Sequence, residues 1–179
     1  MKQWVFLFLL GAVLFLAGCG PQAGNVSAGV YRSAYADIGW ALTPGWDLQT
    51  PEETQAHRRV ELLARNSERL EAVSVSFTAL TPGERLAMLF LSDEDLAQLL
   101  AGQPPFPSDW EIASVKADSV IFLGNPRPAL RVEGTQQGVP LYGVCILDGH
   151  LGSEAMTLTA YSYETDRTQA LLDEFYQLS

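Results

Sequence analysis

The residue pattern predicts an α+β domain, an antiparallel β-sheet flanked by helices, and three observations carry that expectation. Apolar and polar residues alternate with a period of two in a series of short stretches divided by turn residues. Proline-and-acid starts open helices among the early strands. An apolar stripe at helical spacing closes the chain.

Taken in order, Ile38, Trp40 and Leu42 alternate with small or polar neighbours and read as a half-buried strand ended by Pro44-Gly45, with Trp46 and Leu48 as a short continuation. Thr50-Pro51-Glu52-Glu53 offers a capping hydroxyl, a proline at the first helical position and a nearby glutamate, and predicts a helix to about His57. Residues 60–65 fit either a continuation of that helix or the first arm of a hairpin turning at Asn66-Ser67-Glu68. The hairpin is the preferred reading. Its return arm is plain, with Val73, Val75 and Phe77 alternating with Ser74, Ser76 and Thr78.

Thr81-Pro82-Gly83-Glu84 predicts a helix start leading from Arg85 to Leu91, and Ser92 before Asp93-Glu94-Asp95 caps another that runs through Leu96 to a stop at Gly102. A proline-rich loop containing Phe106 precedes a β-meander: Trp110 to Val115, Ser119 to Gly124, Ala129 to Thr135, Pro140 to Leu147 and Ala155 to Ser162. The turns between them are expected at Lys116-Ala117-Asp118, Asn125-Pro126, Gln136-Gln137-Gly138 and Asp148-Gly149. A last helix is expected from about Asp166 to Leu178, with Ala170, Leu171, Phe175 and Leu178 on its apolar side.

The chain's start has a different logic. Lys2 and the α-amino group are followed by an apolar run from Trp4 to Leu16, 13 residues long. As a helix that is about 20 Å, short of the roughly 30 Å of bilayer hydrocarbon. It suits the apolar region of an export signal. Leu16-Ala17-Gly18-Cys19 follows and looks like the lipobox of bacterial lipoproteins, in which the cysteine thiol is alkylated with diacylglycerol and the bond before it is cut. The organisation expected is therefore a signal peptide over 1–18, lipidated Cys19 with a flexible tether over 19–30, and a single domain over 31–179. Two acyl chains at Cys19 would hold the domain stably on the extracytoplasmic face of the cell membrane.

Eleven Lys and Arg against 21 Asp and Glu give a net charge of −10, and loss of Lys2 with the leader takes it to −11. An acidic surface argues against nucleic acid and against anionic headgroups as partners. Besides Cys19 only Cys145 remains, so no disulfide forms within the domain, and the apolar neighbours of Cys145 make it a buried strand residue.

His57 lies beside Arg58 and Arg59, and His150 lies in a turn-prone Asp-Gly-His stretch. Two histidines and one cysteine give no zinc spacing, no Gly-x-Ser-x-Gly elbow is present, and no glycine-rich loop precedes a helix. Asp93-Glu94-Asp95 is explained by the helix dipole ahead of calcium. Neither an enzyme, a metal nor a cofactor is expected. Among the aromatics, Trp40 shares a face with Ile38 and Leu42 and is expected in the core, whereas Trp46 and Phe106, in or beside loops, are the candidates for a ligand or partner contact.

The set Ile38-Gly39-Trp40-Ala41-Leu42, Thr43-Pro44-Gly45-Trp46, Pro51-Glu52-Glu53, Leu123-Gly124, Val139-Pro140-Leu141-Tyr142 and Met156-Thr157-Leu158-Thr159, in this order, resembles small Firmicute lipoproteins of the PsbP/Mog-like superfamily. The resemblance spans about Tyr31 to Leu178. It implies an α/β/α sandwich and a binding or assembly module, with no catalytic residues to carry over. The function expected is a non-catalytic, membrane-anchored module of the cell envelope. The alternative is an extracytoplasmic small-ligand binder with a pocket between the sheet and the helices near Leu86 to Leu100.

Overall fold

The computed structural model describes residues 25–48, 58–92, 94–96, 98, 110–151 and 153–178. These residues form mostly antiparallel β-structure with a few helices, in two sheets. The smaller joins β1 (Asn25–Ser27), β2 (Val30–Arg32), β3 (Ile38–Ala41) and β11 (Phe175–Gln177) in the order β1-β2-β3-β11. The larger runs β4-β5-β6-β10-β9-β8-β7, from β4 (Trp46–Leu48), β5 (Arg58–Asn66), β6 (Glu71–Ala79), β7 (Glu111–Phe122), β8 (Asn125–Gln136), β9 (Val139–Leu151) and β10 (Glu154–Tyr163). Helix α1 covers Pro82–Met88 and α2 covers Thr168–Asp173.

Residues 58–66 are strand, paired antiparallel with β6 from Arg58↔Thr78 to Asn66↔Glu71. Buried Asn66 closes the connection, its Oδ1 accepting from the amides of Glu68 (3.1 Å) and Arg69 (3.0 Å). This is the Asx-type turn chemistry the sequence advertises there. The helix start at Thr81 also forms as written: the Glu84 amide donates to Thr81 Oγ1 and the Thr81 amide donates to Glu84 Oε2. Ser92 and Asp95 repeat that reciprocal pair, at 3.0 and 3.2 Å.

Several expectations need correction. Ordered pairing begins at β1, inside the stretch expected to be tether, because Ala28-Gly29 reverses the chain onto β2. Lys116-Ala117-Asp118 is no turn: β7 runs through it, paired with Leu130 and its neighbours. The reversal falls instead at Leu123-Gly124, where both residues have positive φ (52° and 76°), the two-residue geometry that matches strand twist and that glycine takes without strain. Pro126 and Pro128 then sit inside β8. Alternation turns their N-atoms away from β7, toward a side where pairing with β9 starts only at Ala129, so no ladder bond is lost. Asp148-Gly149 likewise lies within β9, which continues to Leu151.

The helix expected to reach Leu178 stops at Asp173. Phe175–Gln177 instead pairs with the open edge of β3, Phe175 facing Trp40 and Tyr176 facing Gly39. A Cβ at residue 39 would come within 2.7 Å of the Tyr176 ring, so glycine there lets the ring lie on the backbone. An unpaired strand edge outweighed the helical spacing of the last residues.

The main core lies between the small sheet with α2 and one face of the large sheet. Trp40 sits at its centre, edge-on to Trp46 at 4.7 Å and stacked on Phe175 at 5.5 Å between ring centroids. Phe77, Ile146 and Leu158 meet them from the large sheet. On the opposite face Leu130, Val132 and Cys145 form a much smaller cluster.

Candidate functional site

Polar groups at the margin of the main core serve to lock the sheets together. Glu61, at the irregular point of β5, accepts from Tyr31 Oη (2.8 Å) and Ser33 Oγ (2.7 Å) through Oε2, and from the Ala34 amide (3.2 Å) through Oε1. Burial raises the Tyr31 phenol well above its ordinary range, with the Glu61 charge adding to the rise. Within the large sheet itself, Arg59 bonds Glu154 at 2.5 Å and Arg127 faces Asp148 at 3.4 Å, and Arg59 also lies over the Tyr35 ring.

A second group surrounds Glu71, whose side chain is wholly buried. Arg167 Nε lies 2.9 Å from one oxygen and Arg69 Nη1 3.9 Å from the other. Burial pushes the Glu71 carboxyl up, while Arg167 and Arg69 pull it down. Arg69 also reaches Glu174 at 3.5 Å, and Glu174 in turn accepts from the Trp40 indole N–H at 3.1 Å. Each of these acids faces at least one arginine, but at Glu71 burial outweighs both guanidinium charges.

Beside this group lies an open depression of about 300 Å³ at the turn end of the large sheet, lined by Leu70, Gln136, Gln137, Val139, Tyr163 and Glu164. Leu70 (φ 55°), Gln137 (φ 52°) and Glu164 (φ 65°) all hold left-handed backbone there. Such conformations cost of order 1 kcal/mol each in a non-glycine residue and gather where a fold shapes a concavity.

The other surface feature is apolar. Helix α1 packs through Met88 and leaves the rest of its length exposed. Leu86, Leu89 and Phe90 are 59%, 65% and 81% exposed. The six residues from Leu86 to Leu91 are all apolar, more than one face of so short a helix can bury. That run was the available signal for this surface, whereas nothing in sequence marks Leu70 or Glu164.

The residues expected to form a site fare differently. Trp46 is 9% exposed and belongs to the main core, so it is not the loop-borne contact expected. The chain leaves β3 of the small sheet and enters the large sheet as β4. It doubles back at Gly45 (φ 95°) to pair with β5, and that reversal swings the Trp46 indole under Trp40. Phe106, Cys19, His57, Asp93 and the expected helix at residues 51–57 lie outside the described residues. Asp95 is a capping residue, its carboxyl held low by the Ser92 hydroxyl and amide. His150 falls on β9, and buried Cys145 lies 3.9 Å from the Thr159 hydroxyl. The space between sheet and helices near Leu86 to Leu100 lies partly outside the described residues.

No family model matches the chain. No curated protein matches it either. Among solved structures it is similar to the solution structure of cyanobacterial PsbP (CyanoP) from Synechocystis sp. PCC 6803, with 15% identity, 89% of this chain and 98% of that chain covered, and a TM-score of 0.49.

Proposed function

We propose that this protein is a non-catalytic binding or assembly module of the bacterial cell envelope, held on the extracytoplasmic face of the membrane by lipid at Cys19, on a PsbP/Mog-like α/β/α scaffold. The observation that carries the binding role is the apolar surface of α1. Leu86, Leu89 and Phe90 are presented together at the surface of an otherwise acidic chain, and clustered exposed apolar side chains mark contact sites. The lipobox-like Leu16-Ala17-Gly18-Cys19 supports the anchor.

Two measurements test this. Cys19→Ser should leave an unprocessed chain without lipid by mass spectrometry; cleavage at the same bond as in wild type would refute the anchor. The paired change Leu89→Asp and Phe90→Asp should leave the unfolding midpoint in place and abolish recovery of envelope protein with the full chain from its native membrane. Recovery unchanged by both substitutions would refute the contact site.

The depression at the turn end supports a second reading, an extracytoplasmic small-ligand binder. Its three strained residues belong to one concavity. On that reading a ligand would raise the thermal midpoint of the wild type, and Tyr163→Ala would remove the rise.

A further inference from the structure

Among the described residues, the two outer strands of the large sheet differ in length and finish. At one edge β4 has three residues, while at the other β7 has twelve, and its burial pattern from Glu111 to Ser119 is exposed on both faces apart from Ser114. Long exposed edges are templates for another strand. We propose that β7 pairs antiparallel with β7 of a second copy of this chain, about a two-fold axis at Ala117.

The register follows from the hydrogen-bonding alternation and the charges. The two-residue turn at Leu123-Gly124 makes Phe122 and Asn125 a hydrogen-bonded pair. Counting back by twos, Val120, Asp118 and Lys116 direct their backbone groups to β8, and Val115, Ala117, Ser119 and Ile121 direct theirs outward. An axis at Ala117 therefore places two outward-facing residues opposite each other. It also sets Lys116 against Asp118 of the partner subunit, twice by symmetry, in the closer non-hydrogen-bonded positions. An axis at Lys116 would oppose lysine to lysine, and one at Asp118 would oppose aspartate to aspartate. Axes at Val115 or Ser119 leave both charges facing uncharged residues.

Two features show how the edge is kept while unpaired. The Ser119 amide, one of the outward donors, is covered by Asp118 Oδ1 at 2.8 Å, and Arg131 holds the other oxygen of Asp118. Pairing exchanges the first bond for the Val115 carbonyl of the partner subunit and brings its Lys116 to Asp118. Arg131 keeps Asp118 ionised and oriented throughout. The two-fold also brings together exposed Val115 and Ala117 of both copies on the opposite face.

Disulfide trapping in the full chain tests this. Hydrogen-bonded antiparallel partners lie about 5.5 Å apart at Cα, inside the range a disulfide spans. Ala117→Cys should give a disulfide-linked homodimer under mild oxidation, above the background that wild type sets with Cys19 and Cys145. Ser119→Cys should not, because its symmetry mate lies about four residues, or roughly 13 Å, along the strand. Adding Lys116→Glu to Ala117→Cys should cut the dimer at least fivefold with the thermal midpoint unchanged, and further addition of Asp118→Lys should restore it. If Lys116→Glu does not fold, Lys116→Gln should weaken the dimer in the same direction. The proposal is overturned if Ala117→Cys stays monomeric, if Ser119→Cys links as readily, if the lysine change has no effect, or if residue 117 couples to a different protein.

Discussion

The two faces of the large sheet are finished to different standards. One is closed by the small sheet and α2, with Trp40, Trp46 and Phe175 in contact and the marginal polar groups tied across by Glu61 and Glu174. The other carries the small cluster around Leu130, Val132 and Cys145, with α1 resting on Met88 and its apolar residues turned outward. Among the described residues, apolar packing is concentrated on the first face and exposed apolar surface on the second. That division explains why Trp46, chosen from sequence as a contact, proved structural: in this fold Trp40 and Trp46 are the packing material of the closed face.

The largest loss is expected at the densest point of the closed face. Trp40→Ala and Trp46→Ala should each cost about 3–5 kcal/mol in chemical denaturation of the intact chain, because both remove a large buried ring. A Trp46 variant close to wild type would return that residue to the surface. Next in size is Glu61→Ala, which leaves Tyr31, Ser33 and the Ala34 amide without their shared acceptor. A loss of about 1–3 kcal/mol is expected in the urea midpoint; a silent change would mean the two sheets are joined by apolar contact alone.

Glu71 gives a smaller effect with a defined sign. Its folded pKa is raised by burial, so its favourable contribution is complete below the unfolded carboxylate range, about pH 4, and is lost as pH rises through the raised folded value. Glu71→Gln should therefore gain stability relative to wild type between acid and neutral pH, read from unfolding midpoints across that interval. The wild type gaining on the variant would show that Arg167 and Arg69 outweigh burial. The smallest effect belongs to the open face: Phe90→Ser should shift stability by no more than about 0.5 kcal/mol, since an exposed ring has little burial to lose. A larger loss in thermal unfolding would place Phe90 in a packed contact and remove the difference between the faces.

Residues 58–79 formed the hairpin preferred from their pattern, and the starts at Thr81 and Ser92 formed with the caps their side chains imply. Trp40 was legible as core because alternation within one strand assigns its face. These are local matters, settled by neighbours a few residues apart. The sheet-end depression had no comparable signature: Leu70, Gln137 and Glu164 converge only because three separate connections end on the same side of one sheet. Of the apolar α1 surface, the excess of apolar residues was visible, but which of them stayed exposed was not.

Alternation, capping hydroxyls and turn residues act over one to four positions, and the chain carries those instructions wherever it folds. The fate of Trp46, of Phe175–Gln177 and of Lys116-Ala117-Asp118 depended on partners far away in sequence. Trp46 followed β5, Phe175 took the free edge of β3, and β7 stayed straight because β8 supplied an unbroken ladder from Ser114 to Phe122. Strand edges and core space exist only once distant segments meet, and satisfying them outweighed the weaker preference of a few residues for helix or turn.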